Sequence, residues 1–285
     1  MSANPAVMAR PAEAFPAVPE WPVCAGRPAW RMSGGEVMSS VESLVEEVPV
    51  ALVYNGISHA VMLATPADLE DFALGFSLSE GILATPSELY DLDVSACAEG
   101  VEIHLEIASE RFVALKARRR SLAGRTGCGL CGVDSLKAAV RTPAPFPRGT
   151  PIAAAAVHRA FEALPARQPL HRSTGAAHAA AWAEADGTLA EVREDVGRHN
   201  ALDKLIGALV RRRFEPRVGF ALVTSRASVE MVQKAAGAGI GLLAAISAPT
   251  GYATRLAASA GLSLVGMARA GRLTAYTHPD HLCGP

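Results

Sequence analysis

Aromatic residues are scarce. Phe, Trp and Tyr make up 5% of the 285 residues, too few for the stacking platforms that hold single-stranded nucleic acid. Excess charge is equally scarce. The formal net charge of -1 leaves no global field to draw the chain to DNA or to an anionic membrane, so any anion binding must come from local patches. Cysteine is sparse and odd in number. Of the five, Cys24, Cys97 and Cys283 are scattered, which makes a poor disulfide framework and points to a reducing, cytoplasmic setting. No long apolar run is free of charges and breakers. The most apolar stretch, AAGAGIGLLAAISAPTG, lies between Lys234 and Arg255 and contains Pro249, so it reads as a buried strand with flanking turns and not as a membrane span. The first residues lack a basic region followed by an apolar core; residues 1–30 are Pro- and Ala-rich and are expected to form a disordered tail.

Two halves follow. Residues 31–142 read as a small α+β domain and residues 143–285 as an α/β domain, divided where Pro143, Pro145, Pro147 and Pro151 break the pattern. In the first half, Asn55-Gly56 between two β-rich runs signals a hairpin. A helix is expected from Thr65 as cap and Pro66 as first residue to Gly81, with Leu69, Phe72, Ala73, Phe76 and Leu78 as its apolar face. VEIHLEI alternates as a strand, and RFVALKA is expected to pair with it. DSLKAAVR reads as a short helix capped by Asp134. The second half opens with a helix over 152–164 and a hairpin turning at Asp186-Gly187. Buried strands (VGFALVTS, IGLLAAISA, LSLVGMA) then alternate with helices (NALDKLIGALVRRR capped by Asn200, SVEMVQKAAGAG, TGYATRLAASAG). That alternation implies parallel pairing with right-handed crossovers. Thr224, Ser225 and Arg226, then Ser247 and Thr250, follow two of the strands, at the ends where open α/β sheets bind ligands.

The strongest chemical signal is RRRSLAGRTGCGLCGVD. Cys128 and Cys131 stand three apart among four glycines, just after Arg118, Arg119, Arg120 and Arg125. Neighbouring cations lower a thiol's pKa and the thiolate is the nucleophile, so these two cysteines are expected to be reactive. A structural zinc site needs four ligands, usually from two paired clusters, and no second CxxC or HxxxH is present. A thiol–disulfide redox pair remains open, although the βαβ context of thioredoxins is missing. REDVGRHNALDK packs acid, base, imidazole and amide at a helix start, where Arg198, His199 and Asn200 can present donors to an anion, or where an ordinary capped helix begins. His178 in a strand reads as a core histidine. Arg269 and Arg272 flank Gly271 in a turn, an arrangement able to grip a phosphate or a guanine edge. Phosphate-binding GxxxxGK[ST] is absent, and GAGIG follows a helix where a dinucleotide turn must follow a strand.

Taken together, the segments EEVPVALVYNGISHAVMLATPADLEDFALGFSLSEGI, GRTGCGLCGVD, AAHAAAW, REDVGRHNALDKLIG, TSRASVEMVQKAAGAGI, SAPT and VGMARAGRLTAYTHP resemble, in order over roughly residues 45 to 281, the FdhD family of formate dehydrogenase accessory sulfurtransferases. The resemblance implies a fold with a cytidine-deaminase-like three-layer αβα core carrying a mostly parallel mixed sheet, beside a smaller α+β domain. The deaminase zinc signature is missing here, so deamination is not expected. The resemblance also implies a persulfide sulfurtransferase. Sulfur would pass from a cysteine desulfurase to Cys128 and Cys131, with Cys128 favoured as carrier, and on to the metal of bis-molybdopterin guanine dinucleotide, serving the catalytic subunit of formate dehydrogenase. Met267, Ala268, Arg269, Ala270, Gly271 and Arg272 would bind that cargo, no tightly bound metal of its own is expected, and the protein would be a homodimer without nucleic-acid or membrane partners. Two alternatives stay open: a non-catalytic cofactor-binding chaperone, and a thiol–disulfide oxidoreductase.

Overall fold

The computed structural model describes residues 21–122, 144–147, 149–269 and 271–284. Cys128, Cys131, the stretch after Asp134 expected to be helical, and Ala270 lie outside them. The first half begins with the hairpin β1 (Cys24–Ser33) and β2 (Glu36–Val45), turning at Gly34-Gly35. Strand therefore starts inside the stretch expected to be tail. Its residues are almost all solvent-facing, so no burial pattern in the sequence announces it. β3 (Val48–Tyr54) and β4 (Ile57–Ala64) form the expected hairpin. Asn55 and Gly56 both take positive φ, as the tight turn requires.

Helix α1 (Leu69–Ser79) starts later than expected. Thr65 does not cap it, because its backbone and hydroxyl are spent on the other half of the molecule. β5 (Leu89–Cys97) and β6 (Gly100–Ile107) complete a sheet of order β4-β3-β6-β5. RFVALKA belongs to helix α2 (Ser109–Leu122) and not to a strand. Phe112 and Leu115, three apart, pack on the sheet core, a helical spacing that its β-rich composition obscures. One sheet face is sealed by Phe72, Ala73 and Phe76 of α1 against Leu52, Ile103 and Leu105.

The second half runs β7 (Ile152–Ala153), α3 (Ala154–Ala163), α4 (Pro169–Thr174), β8 (His178–Glu184), β9 (Leu189–Asp195), α5 (Arg198–Arg211), β10 (Gly219–Val223), α6 (Val229–Gly237), β11 (Leu242–Ala245), α7 (Gly251–Ala260), β12 (Ser263–Arg269), β13 (Arg272–Ala275) and β14 (Leu282–Cys283). The main sheet has order β13-β12-β11-β10-β8-β9. It is mixed: β10, β11 and β12 are parallel, while β8, β9 and β13 add antiparallel flanks, so the parallel part is the centre only. Leu202, Leu205, Met231, Ala235 and Leu256 of α5, α6 and α7 bury one face, and Val157, Ala160 and Leu164 bury the other against Phe220 and Leu222. Helices, sheet and helix make the three-layer αβα arrangement of a mixed α/β protein. No helix among the described residues is long and apolar enough to cross a membrane.

The two halves meet where α1 crosses α5. A Cβ on Gly75 would overlap the carbonyl oxygen of Asp203, and one on Gly207 would overlap that of Asp71. Each helix thus presents a glycine to the other's backbone. Helix propensity alone favours Gly75→Ala by about 1 kcal/mol. The backbone overlap acts against it, and overpacking of this kind costs about 1–3 kcal/mol. Urea unfolding of Gly75→Ala is expected to show a net loss of up to about 2 kcal/mol. A gain in stability would mean the helices do not cross at this distance.

Candidate functional site

Because β8 runs against both β9 and β10, the carboxyl ends of β9, β10, β11 and β12 and the start of β8 share one edge of the main sheet. Helices α5, α6 and α7 begin at that edge. Backbone hydrogen bonds stitch its loops together: Thr224 N to Ala179 O at 3.0 Å, Ile246 N to Val223 O at 3.1 Å, Thr250 N to Ala227 O at 3.0 Å and Met267 N to Ser247 O at 3.2 Å. A Cβ on Gly266 would lie 2.9 Å from Ser247 O, so glycine lets the 247–250 loop press against β12. The strand-end residues selected from sequence, Thr224, Ser225, Arg226, Ser247 and Thr250, are therefore gathered with Met267, Arg269, Gly271 and Arg272.

They do not all face outward. Ser225 is buried and its hydroxyl donates to Arg226 O. Thr250 Oγ1 caps α7 by accepting from Ala253 N, and Thr224 Oγ1 accepts from Ala179 N. The Ala268 side chain is buried, leaving only its backbone to a ligand. Met267 takes a left-handed φ of 55° at a bulge in β12, and Gly271 (φ 71°) turns the chain into β13. Arg226, Arg269 and Arg272 are exposed and, with half-buried Arg198, make no salt bridge among the described residues. Arg255 stacks on Tyr252. The edge is thus a local positive patch on a nearly neutral chain.

REDVGRHNALDK divides sharply. Most of it builds structure. Buried Asp195 and Lys204 pair at 2.7 Å. Asp195 also accepts from Thr65 N (3.0 Å), Gly197 N (2.7 Å) and Asn200 Nδ2 (3.1 Å), and Lys204 donates to Thr65 O at 2.9 Å. Asn200 is neither a cap nor an anion donor: Gly197 is the N-cap of α5, and the Asn200 amide is spent on Asp195 and on Leu63 O (2.8 Å). Arg193 joins Asp71 (2.8 Å) to Glu191 (2.7 Å), and Glu194 accepts from Leu170 N and His171 N at the start of α4. One turn further along, Lys234 reaches Asp203, Ser79 and Glu80. Burial disfavours its charge, but Asp203 and Glu80 outweigh that and hold the Lys234 ammonium above its usual pKa.

His199 and Arg198 remain for the edge. His199 Nε2 lies 2.8 Å from Glu230 Oε2 across α5 and α6, off the line of an aligned hydrogen bond. Burial pulls the imidazole below its usual pKa while Glu230 opposes. His178 is no core histidine: it is half-buried at the start of β8, its pKa lowered by burial and then by Arg198. Sequence reading missed Glu230, since nothing in SVEM announces contact with a residue 31 positions earlier.

A family model described as FdhD/NarQ family matches residues 45–283. The chain belongs to that family. It is 58% identical over 253 residues to a protein of Cupriavidus necator named sulfur carrier protein FdhD, covering 89% of this chain and 87% of the relative. A Bordetella petrii protein of the same name is 51% identical over 261 residues, covering 91% and 94%. The crystal structure of a provisionally assigned formate dehydrogenase accessory protein from Desulfotalea psychrophila aligns with TM-score 0.71 at 22% identity, over 92% of this chain and all of that one, and so shares the FdhD/NarQ chain's fold.

The lock beneath the edge gives a direct test. Lys204→Met leaves the Asp195 carboxylate buried without its cation and is expected to cost about 3–5 kcal/mol in urea unfolding. Arg217→Ala, in an exposed pair with Glu215, is expected to cost under about 1 kcal/mol. Equal costs would remove Asp195–Lys204 from its structural role.

Proposed function

We propose that this chain is a sulfur carrier of the cytoplasm, serving formate dehydrogenase maturation. The observation that carries the reading is the set of arginines at the carboxyl edge that make no salt bridge among the described residues, in a family member whose relatives are named sulfur carriers. Arg226, Arg269 and Arg272 suit the diphosphate and guanine groups of bis-molybdopterin guanine dinucleotide, because guanidinium forks bind phosphate and guanine edges in bidentate fashion.

In this reading the Cys128 thiolate attacks the sulfane sulfur of a persulfide on a cysteine desulfurase. The donor's cysteine thiolate leaves, and Cys128 becomes the persulfide with no net redox change. Attack of the Cys131 thiolate on Cys128 sulfur then forms a Cys128–Cys131 disulfide and expels hydrosulfide. The two thiols have supplied the two electrons that turn sulfane sulfur into sulfide, which becomes a ligand of the cargo's metal. A cellular thiol reductant resets the pair. Cargo enters with its anionic groups on Met267–Arg272 and the neighbouring loops, and leaves for the catalytic subunit of formate dehydrogenase.

In this reading the protein is a homodimer that pairs through the β1–β2 hairpin. One face of the β1–β2 hairpin carries Pro28, Trp30, Met32, Val37 and Val41 and no charge, while Arg27–Glu46 and Arg31–Glu42 pair on the other. Trp30, Met32 and Val41 are 70%, 76% and 75% exposed. Two-stranded hairpins are marginal in water when uncovered, and an uncharged face is self-complementary across a twofold axis.

Intact-mass analysis after incubation with a cysteine desulfurase and cysteine is expected to show one added sulfur atom on Cys131→Ala, which cannot resolve the persulfide, and none on Cys128→Ala. Sulfur loading of Cys128→Ala, or no added sulfur on Cys131→Ala, contradicts the relay. Sedimentation is expected to show a wild-type dimer and a Trp30→Glu/Val41→Glu monomer with an unchanged thermal midpoint at low concentration. A dimer that survives both substitutions places the interface elsewhere.

A further inference from the structure

At the carboxyl edge, His199 faces the carboxylate of Glu230. It stands in the first turn of α5, and Glu230 in the first turn of α6; their side chains are 30% and 31% exposed. With Nε2 turned to Glu230, Nδ1 makes no hydrogen bond among the described residues. One further polar group at this junction lacks a hydrogen-bond partner among the described residues. Ser228 Oγ, at the N-cap of α6, is buried without a hydrogen bond, and neither Gly197 nor Ser228 caps its helix through a side chain. Among the described residues no side chain caps either helix, so the first-turn N–H groups of both can serve an anion.

The tautomer decides what His199 can do there. A neutral ring that points Nε2–H at Glu230 carries a lone pair on Nδ1. That lone pair repels a phosphate oxygen. Only the imidazolium, with protons on both nitrogens, donates to Glu230 and to an anion at once. We infer that His199 is an anion ligand of the carboxyl edge, that Glu230 positions its ring, and that binding of one anionic ligand there brings one proton from solvent onto Nδ1.

The groups facing the ring set the balance. Glu230 on α6 favours the imidazolium; Lys234, one turn along α6, and Arg198, the preceding residue on α5, oppose it. Lys234 is largely spoken for by Asp203 on the next turn of α5 and by Glu80 beyond α1. Burial, the largest influence, draws the imidazole below its usual pKa, and an arriving anion acts with Glu230 in the opposite direction. Linkage fixes the sign: a site that takes up a proton on binding weakens as pH rises.

The inference rests on the reading that this edge binds the nucleotide part of the cargo, and one experiment separates the two. GDP-mannose carries a diphosphate diester that does not itself titrate across roughly pH 5.5 to 8.5. Its Kd for the full chain is expected to rise by up to about tenfold per pH unit above the His199 pKa. His199→Gln is expected to flatten that slope at the weak, high-pH affinity, and Glu230→Gln to move the rise to lower pH. Ring nitrogen NMR on the wild type, independent of any variant, is expected to show Nδ1 becoming protonated on ligand addition at pH 7. Binding without a slope, or the wild-type slope in His199→Gln, or an unprotonated Nδ1 in the complex overturns the role of His199 and leaves the edge as a nucleotide site. No binding at any pH overturns both.

Discussion

The Asp195–Lys204 ion pair, buried between the two halves, is the contact on which the rest of the site depends. Asp195 ends β9 and Lys204 lies in α5, yet both also bond to the backbone of Thr65, at the end of β4. A buried pair gains little net free energy over well-packed apolar residues, because desolvation offsets attraction. What it supplies here is register. Every polar atom in the cluster has one partner geometry, and sliding the first half over the second would strand two charges away from water. The glycine-to-backbone crossing of α1 and α5 fixes the same interface sterically. Two unlike constraints therefore set where α2, which leads toward the cysteine pair in sequence, lies relative to the edge of the main sheet.

Charge is sorted by this arrangement. Arg193, Arg211 and Arg212 are consumed by Asp71 and Glu191, and Lys234 by Asp203 and Glu80, all in the seam between the halves. Arg198, Arg226, Arg269 and Arg272, at the carboxyl edge, make no salt bridge among the described residues. A chain of net charge -1 thereby keeps one electropositive region without a global field. Among them Glu230 faces a histidine, His199.

Much of the second half was legible in sequence because its signals are local. Apolar runs of strand length alternate with helical spacing, and Asp186-Gly187 and Gly271 mark their turns through backbone conformation. The polar strand ends were legible for the same reason, since topology alone carries them to one edge. What failed depended on distant partners. Thr65 and Asn200 have the chemistry of helix caps, and locally that is the right reading. Both were overridden by contacts some 130 residues away, with Asp195 and with Leu63. RFVALKA has strand composition but helical burial, and β1–β2 bury too little to leave any pattern. Within REDVGRHN, sequence alone did not separate structural residues from site residues. The separation follows from which side chains meet Thr65 and which meet the edge.

The central claim is that the carboxyl edge, held in place by the buried lock, receives the anionic guanine-dinucleotide cargo. Hydrogen–deuterium exchange with and without GDP tests it most directly. The account predicts slowed exchange at residues 197–200, 224–231, 247–252 and 266–272, with β5 and the hairpin β1–β2 unchanged. Protection confined to the first half, or spread evenly over the chain, would contradict it.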